Sequence, residues 1–501
     1  MLVVDFLNSL LDILLVPQTM MLAILGVALG IILGALPGVS STMALAILLP
    51  VSFSMDTNVA ILFLLSVFVS SVYGGSISAI LINIPGTPAA IVTQLDGFPM
   101  TKRGQAGPAL SYALIASTIG GVIGLGMLIV LAPMLVSVAM NFRSPEFAMV
   151  AAFGLVLLAY ASNGSTIRGI IVGSIGLICG MVGFDAMSDT ERFTFTTETL
   201  QGGIHIVPLT VGLFGLAEVL RNISMSAQPS IEYPKIDRIF PPMREIFNKW
   251  KSMLRGSVIG AFVGAIPAAG SAIAVSIAYA NEVKLSKDPD KFGKGCPEGI
   301  VAPEAANSSG VGGSLIPMMT LGIPGDTITA VLMGALLIHG LRPGPLLFTN
   351  NPEFVSGVYS SFFVALIVTL ILGLLMLRWM TLVMKIPPRI MLVVIGLLCV
   401  IGAFSIRNNM ADVYIMMFFG VVGYILHLLK LPSAPLAFGL ILGPMLEENL
   451  RRSLMISQGS WNIFLERPIS LLLLVVTVLA ILLPIVMPYI KKRKSDAASV
   501  T

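Results

Sequence analysis

Charged side chains are scarce in this sequence. Asp, Glu, Lys and Arg together make up 11% of its 501 residues, against roughly 25% in soluble globular domains, and that excludes a soluble protein. Cysteine is nearly missing too: Cys179, Cys296 and Cys399 are scattered, with no CxxC spacing. A disulfide framework and a structural or catalytic metal site are not expected, and buried packing is the reading for Cys179 and Cys399. His205, His339 and His427 lie too far apart in sequence to suggest a metal cluster. There is no Walker A motif, which argues against ATP-driven transport by this chain. No nucleophile–base arrangement is legible, so no enzyme and no cofactor are expected. The N-terminus, MLVVDFLNSLLDILLVPQTM, lacks the basic region of a cleavable signal peptide.

What the sequence has instead is apolar length. Hydrophobic residues make up 56% of the chain and the mean hydropathy is +0.96. Runs long enough to cross a bilayer recur from Leu10 to Ile490, giving about ten to twelve passes. The fold class expected is all-α: a polytopic integral membrane protein with broken, re-entrant helical hairpins. The formal net charge of +4 says little, but Lys and Arg gather at a central linker and at Lys491-Lys492-Arg493-Lys494. By the positive-inside rule the C-terminus is then cytoplasmic.

Glycine and proline interrupt the apolar runs at four points: Pro37-Gly38, Pro85-Gly86, Pro267-Ala268 and Pro324-Gly325. Broken backbone at membrane depth is tolerated only where it is buried in protein or lines a cavity. The breaks fall in pairs because the pattern repeats. GAIPAAG at Gly264 answers GALPGVS at Gly34, an offset of 230; Pro324-Gly325 answers Pro85-Gly86 at 239; His339-Gly340 answers Asp96-Gly97 at 243. The expected organisation is a peripheral helix at 1–17, repeat one at 18–225, a polar linker at 226–252, repeat two at 253–455, and an extra helix with a basic tail at 456–501. With linker and tail both cytoplasmic, the two copies are inverted, as in many transporters.

Each break is followed by short hydroxyl or acidic residues. A helix start carries about half a positive charge and several free N–H donors, so two facing starts suit a carboxylate, and the freed carbonyls suit Na⁺. The candidate substrate-binding residues are Gly38, Ser40, Ser41, Thr42, Gly86, Thr87, Gly270, Ser271, Gly325, Asp326 and Thr327. The candidate cation-binding or coupling residues are Ser76, Asn83, Asn307, Ser308 and Ser314. Asp326 is either a helix cap or a direct ion ligand. Asn307-Ser308-Ser309, in the small-residue stretch that also holds Glu304, either ligates or packs. Asp96 and His339 read as turn residues near water, and Glu218 and Glu448 as partners of the Arg three residues on. The long runs near 108–139 and 353–383 read as a scaffold against which the hairpins move.

Three motifs, GALPGVSSTMALAILLP, YGGSISAILINIPGTPAAIVTQLDGFP and, above all, the segment FGKGCPEGIVAPEAANSSGVGGSLIPMMTLGIPGDTITAVLMGALLIHGLRPGPLLF at 292–348, resemble the TctA-type large membrane subunit of tripartite tricarboxylate transporters. The resemblance covers about 15–490. It implies a permease of the bacterial inner membrane that works with a small four-helix membrane subunit (TctB type) and a periplasmic solute-binding protein (TctC type). The implied activity is carboxylate uptake driven by an ion gradient, commonly Na⁺, with H⁺ the other candidate; nucleic acid has no part in it. Pro267-Ala268-Ala269-Gly270 and Asn307-Ser308-Ser309 depart from the family's usual Pro-Gly and Asn-Asn-Ala, which weakens any claim for citrate itself. An anion channel and a structural membrane scaffold are the alternative readings.

Overall fold

The computed structural model of the chain describes residues 2–161, 166–185, 187–224, 241–267, 269–385 and 388–482. Most of the expected linker, Ala268 at the third break and the basic tail lie outside these residues. The described chain is almost wholly helical, as a chain must be where lipid cannot satisfy backbone N–H and C=O groups. After α1 (Leu2–Leu15), the first copy holds α2 (Pro17–Ala35), α3 (Ser41–Leu48), α4 (Thr57–Ile82), α5 (Ala90–Lys102), α6 (Ala106–Ala139), α7 (Ser144–Ala161) and α8 (Thr166–Gly180). A hairpin of β1 (Gly183–Phe184) and β2 (Glu191–Arg192) follows, and then a helical stretch with a π turn at Val211–Leu216. The second copy holds α9 (Trp250–Gly264), α10 (Gly270–Leu285), α11 (Glu298–Leu321), α12 (Thr327–Ile338), α13 (Pro352–Met376), α14 (Pro388–Ser405), α15 (Met410–Leu428) and α16 (Ala434–Ile456). Six helices among the described residues are long and apolar enough to cross a membrane, and shorter apolar helices, α3 and α12 among them, accompany them. The chain is an all-α polytopic membrane protein.

Helix ends fall where local chemistry puts them. Both α4 and α11 end on a left-handed residue, Asn83 (φ 60°) and Gly322 (φ 69°), and the prolines that follow, Pro85 and Pro324, cannot resume a helix without losing a hydrogen bond. Helix α4 runs unbroken from Thr57 to Ile82. Gly74 and Gly75 do not break it; they sit where the helix touches Gly34 and Thr87. The π turn at Val211–Leu216 had no counterpart in the sequence reading.

The repeat reappears in the packing. On α2, Gly26, Gly30 and Gly34 press on the carbonyls of Phe63, Val67 and Ser71 of α4, so closely that an added methyl would fall under 3.0 Å from each oxygen. On α9, Gly256, Gly260 and Gly264 press in the same way on Ala302, Ala306 and Gly310 of α11. The glycines are related by 230 and the carbonyls by 239, two of the offsets read between the copies. A glycine every fourth residue on one face lets backbones approach closely, the small-residue packing that membrane helices use without a hydrophobic drive between them.

By contacts the chain divides into two compact units that cut across the copies: 1–137 with 210–424, and 138–209 with 425–501. The first unit holds the residues about all four breaks. The helices expected as a separate scaffold belong to it: α13 packs on α4, and Gly120 and Gly124 of α6 press on the backbone of Ala305 and Ser309. In the second unit α16 packs on α7 and α8. There Arg192 pairs with Asp185 (2.6 Å) and Glu447 (2.6 Å), and Arg451 pairs with Asp185 (2.7 Å). Arg192, with Ser188 and Arg451, holds the Asp185 carboxyl well below the usual carboxylate range. This corrects one expected pairing: Glu448 pairs with Arg452 (2.5 Å), four residues on, because Arg451 turns to Asp185 and Glu447. Glu218 and Arg221 do pair, at 3.3 Å. Cys399 is buried, whereas Cys179 is partly exposed.

The glycine contacts generate a test. Gly260→Leu should destabilise the detergent-solubilised chain by about 1–3 kcal/mol or more through overpacking. Gly126→Leu, on the same type of helix but with nothing within 4 Å, should leave the unfolding midpoint nearly unchanged. Thermal unfolding followed by size-exclusion chromatography reads the difference.

Candidate functional site

The first and fourth breaks meet. The hydroxyls of Thr42, at the start of α3, and Thr327, at the start of α12, lie 2.8 Å apart although 285 residues separate them. Each start has its own cap. Ser40 Oγ accepts from the Met43 N–H at 3.2 Å. Asp326 Oδ1 accepts from the Thr329 N–H at 2.8 Å, while Thr329 Oγ1 accepts from the Asp326 N–H at 2.9 Å, forming a reciprocal capping box. Ser41, beside Thr42, is 1% exposed, and its Oγ has no hydrogen-bond partner among the described residues. Gly38 turns the chain into α3 at φ +85°, with Asn222 against it.

The helices that follow the second and third breaks form the other pair. Val275 and Ala278 of α10 pack with Ala89, Val92 and Ala306. The start of α10 carries no side-chain cap, Gly270 (φ +64°) opens onto free space, and Ser271 lies beside Gly310. Gly86 donates its N–H to the Gly75 carbonyl at 3.1 Å and packs on Gly34 and Gly75, as Gly325 packs on Ser314. Thr87 rests on Gly75 with its Oγ1 buried and unpartnered. Each first-break helix therefore packs against the second-break helix of the other copy: α3 with α12, and α10 with α5.

The residues selected for a cation do not gather at one point. Asn83 is an exposed left-handed cap. Ser314 Oγ donates to its own helix, at Val311 O (3.1 Å). Asn307 and Ser308 are buried at 2% and 4% exposure, and Asn307 Nδ2 has no partner among the described residues. Ser314 also hydrogen-bonds the Asp326 carboxylate, and Ser76 reaches a different one, donating to Glu304 Oε1 at 2.6 Å. Thr93 Oγ1 donates to the same oxygen at 2.5 Å and Ser117 Oγ to Oε2 at 3.0 Å. Glu304, Thr93 and Ser117 were not in the selected set. An acid inside an apolar helix is itself a signal, because an ionised group there is costly. Its partners carried none, lying 211 and 187 residues away.

Asp96 is a second correction. It lies inside α5, 0% exposed, where the sequence suggested a turn near water. The segment before α11 folds back onto it: Gly295 N–H (2.8 Å), Cys296 N–H (2.7 Å) and Tyr279 O–H (3.0 Å) all donate to its carboxylate. Those buried backbone donors need an acceptor, and Asp96 supplies it. His339, its counterpart, ends α12 as the C-cap.

The chain matches the family described as "Tripartite tricarboxylate transporter TctA family" over residues 20–438. A 52.8 kDa protein of Agrobacterium vitis, named for its place in the TAR-I ttuC' 3' region, is 33% identical over 480 residues, covering 96% of this chain and 95% of that protein. A second Agrobacterium vitis protein, named for the TAR-II ttuC' 3' region, is 35% identical over 237 residues, 47% of this chain and 98% of its own length. No solved structure matches the chain.

The cap at α12 can be separated from any other role of Asp326. Asp326→Ala should lower the free energy of unfolding by about 1 kcal/mol, while Asp326→Asn, which keeps an acceptor for the Thr329 N–H, should recover most of it. Chemical denaturation of the detergent-solubilised chain distinguishes the two.

Proposed function

The chain belongs to the tripartite tricarboxylate transporter TctA family, and from that premise we propose that it is the large permease subunit of a secondary transporter of the bacterial inner membrane. It takes a carboxylate from a periplasmic solute-binding protein, works beside a small membrane subunit, and moves the solute by alternating access on an ion gradient, with Na⁺ the favoured ion. The observation that carries this reading is the 2.8 Å meeting of Thr42 and Thr327, one helix start from each copy. Two helix starts bring positive dipole ends and N–H donors to one place, and they do so without a cationic side chain, which is costly inside a membrane.

The two starts are not equivalent toward an anion. Asp326 caps the α12 end with its own carboxyl, so a solute carboxylate there competes with it for the free N–H groups. The α3 end has a neutral cap, Ser40, and the unpartnered Ser41 hydroxyl. The solute carboxylate therefore docks at α3 on Ser41 and Thr42, because Asp326 already takes up the Thr329 N–H at the α12 start. The buried, unpartnered Nδ2 of Asn307 and Oγ1 of Thr87 are further donors for the solute's remaining oxygens.

Uptake in cells that also express the two partner subunits tests the proposal, with a panel of radiolabelled di- and tricarboxylates as probes. At least one probe should accumulate against its gradient in a manner that needs the binding protein. Thr42→Val with Thr327→Val, and separately Asn307→Ala, should each slow it about tenfold or more at normal membrane levels, the effect of losing hydrogen bonds to a charged group. Wild-type uptake by both variants would overturn the site. Passive equilibration without accumulation would favour a channel.

A further inference from the structure

Glu304 stands apart from the other buried acids of this chain. It is 0% exposed in the second turn of a helix buried along nearly its whole length. Glu146, Glu282 and Asp412 are buried as well, and each pairs with an arginine: Arg467, Arg255 and Arg407. Asp96 is held by two backbone N–H groups and a tyrosine. Glu304 has only hydroxyls, from Ser76 on α4, Thr93 on α5 and Ser117 on α6, and no ion pair among the described residues includes it. An ionised carboxylate buried without a counter-charge costs several kcal/mol, more than hydroxyl donors return. The group therefore needs either a proton or a cation.

The hydroxyls suit that exchange. Each is a donor with two acceptor lone pairs on a freely turning bond, so three of them can point hydrogens at an ionised carboxylate or oxygens at a bound cation. Backbone N–H groups and arginines can do only the first. The site also belongs to one copy alone. At the offset of 239 that relates the α4 and α11 carbonyls gripped by glycine, Glu304 answers Leu65, and Ser76 answers Leu315. Both leucines are buried at 0% exposure. An apolar pair thus fills the symmetric place, and packing alone gives no reason for a carboxylate here.

We propose that Glu304 with Ser76, Thr93 and Ser117 forms a monovalent-cation site that takes Na⁺ or a proton. Resting on the transport reading above, this is where the driving ion binds, in place of Asn83 and Ser314. The titratable and charged groups on the surrounding elements are Tyr73 on α4, Asp96 and Lys102 on α5, Tyr112 on α6, Lys251 and Arg255 on α9, Tyr279, Glu282 and Lys284 on α10 and Glu298 on α11. Asp96 is bonded as described, Arg255 pairs with Glu282 (2.7 Å), Tyr112 donates to Glu245 (3.1 Å) and Lys249 pairs with Glu298 (2.5 Å). The Tyr73 hydroxyl, one turn before Ser76, is buried without a partner. A phenol carries no positive charge and offers Glu304 no counter-ion.

Infrared difference spectroscopy on the purified full-length chain tests this, with pH and NaCl as the variables and KCl as the ionic control. A protonated Glu304 contributes a carboxylic C=O stretch that Glu304→Gln lacks. The expected result is a band that grows as pH falls in the wild type only. Its loss on adding NaCl at fixed pH assigns Na⁺ as the competing occupant, and indifference to NaCl assigns the proton alone. Thr93→Val keeps the carboxyl and removes one donor, so it should raise proton affinity about tenfold, and it serves as the second variant should Glu304→Gln fail to fold. A carboxyl band invariant with pH and NaCl, or a wild-type response that neither variant alters, would overturn the proposal. Neither solute nor partner subunit is needed, so failure of the uptake test and failure of this one are separate results.

Discussion

A helix interrupted within the hydrocarbon layer leaves backbone N–H and C=O groups that lipid cannot satisfy. Four interruptions multiply that demand, and the first compact unit is built to meet it. Asn83 and Gly322 close the ends of α4 and α11 in left-handed turns, and Ser40 and Asp326 cap the starts of α3 and α12. The longer solution is burial. Helices α4 and α11 are enclosed along nearly their whole length, and glycine-on-carbonyl contacts bring α2 and α9 against them. Where capping stops short, buried donors are left without partners, and Ser41, Thr87 and Asn307 are among them. The groups the fold leaves unsatisfied are thus the groups a polar solute can use.

The two copies share this scaffold and differ in chemistry. Equivalent helices grip each other through equivalent glycines, and each first-break helix leans on the second-break helix of the other copy. On that common frame one copy carries Leu65 where the other carries Glu304. Pro88 and Thr87 stand near the place of Asp326 and Thr327, so only one of the paired hairpins has an acidic cap. A symmetric frame with asymmetric side chains gives the proposed solute and cation sites different places.

The breaks were legible because proline and glycine act locally, within one turn of the residues that cause them. The duplication was legible because it recurs at fixed offsets. The carboxylates were harder. Asp96-Gly97 has the composition of a turn, but backbone donors some 200 residues on, at Gly295 and Cys296, draw Asp96 into the interior. Arg451 suggested a local pair with Glu448 and turned to Asp185, 266 residues away. Glu304 was visible as an acid in an apolar stretch, yet Ser76, Thr93 and Ser117 look like any other small polar residue of a membrane helix. What decides these cases is which helices the fold brings together, and one chain's residue pattern does not state it. The meeting of Thr42 with Thr327 is of the same kind.

The central claim is that this meeting point is a transport site reached from both sides of the membrane in turn. Thr327→Cys, in a chain whose Cys179, Cys296 and Cys399 are replaced by serine or alanine, permits a direct test with a membrane-impermeant thiol reagent. Labelling is measured from each face of oriented vesicles, with and without the transported carboxylate. The account predicts labelling from either face and protection by the carboxylate. Labelling from neither face, or labelling that the carboxylate leaves unchanged, would contradict it.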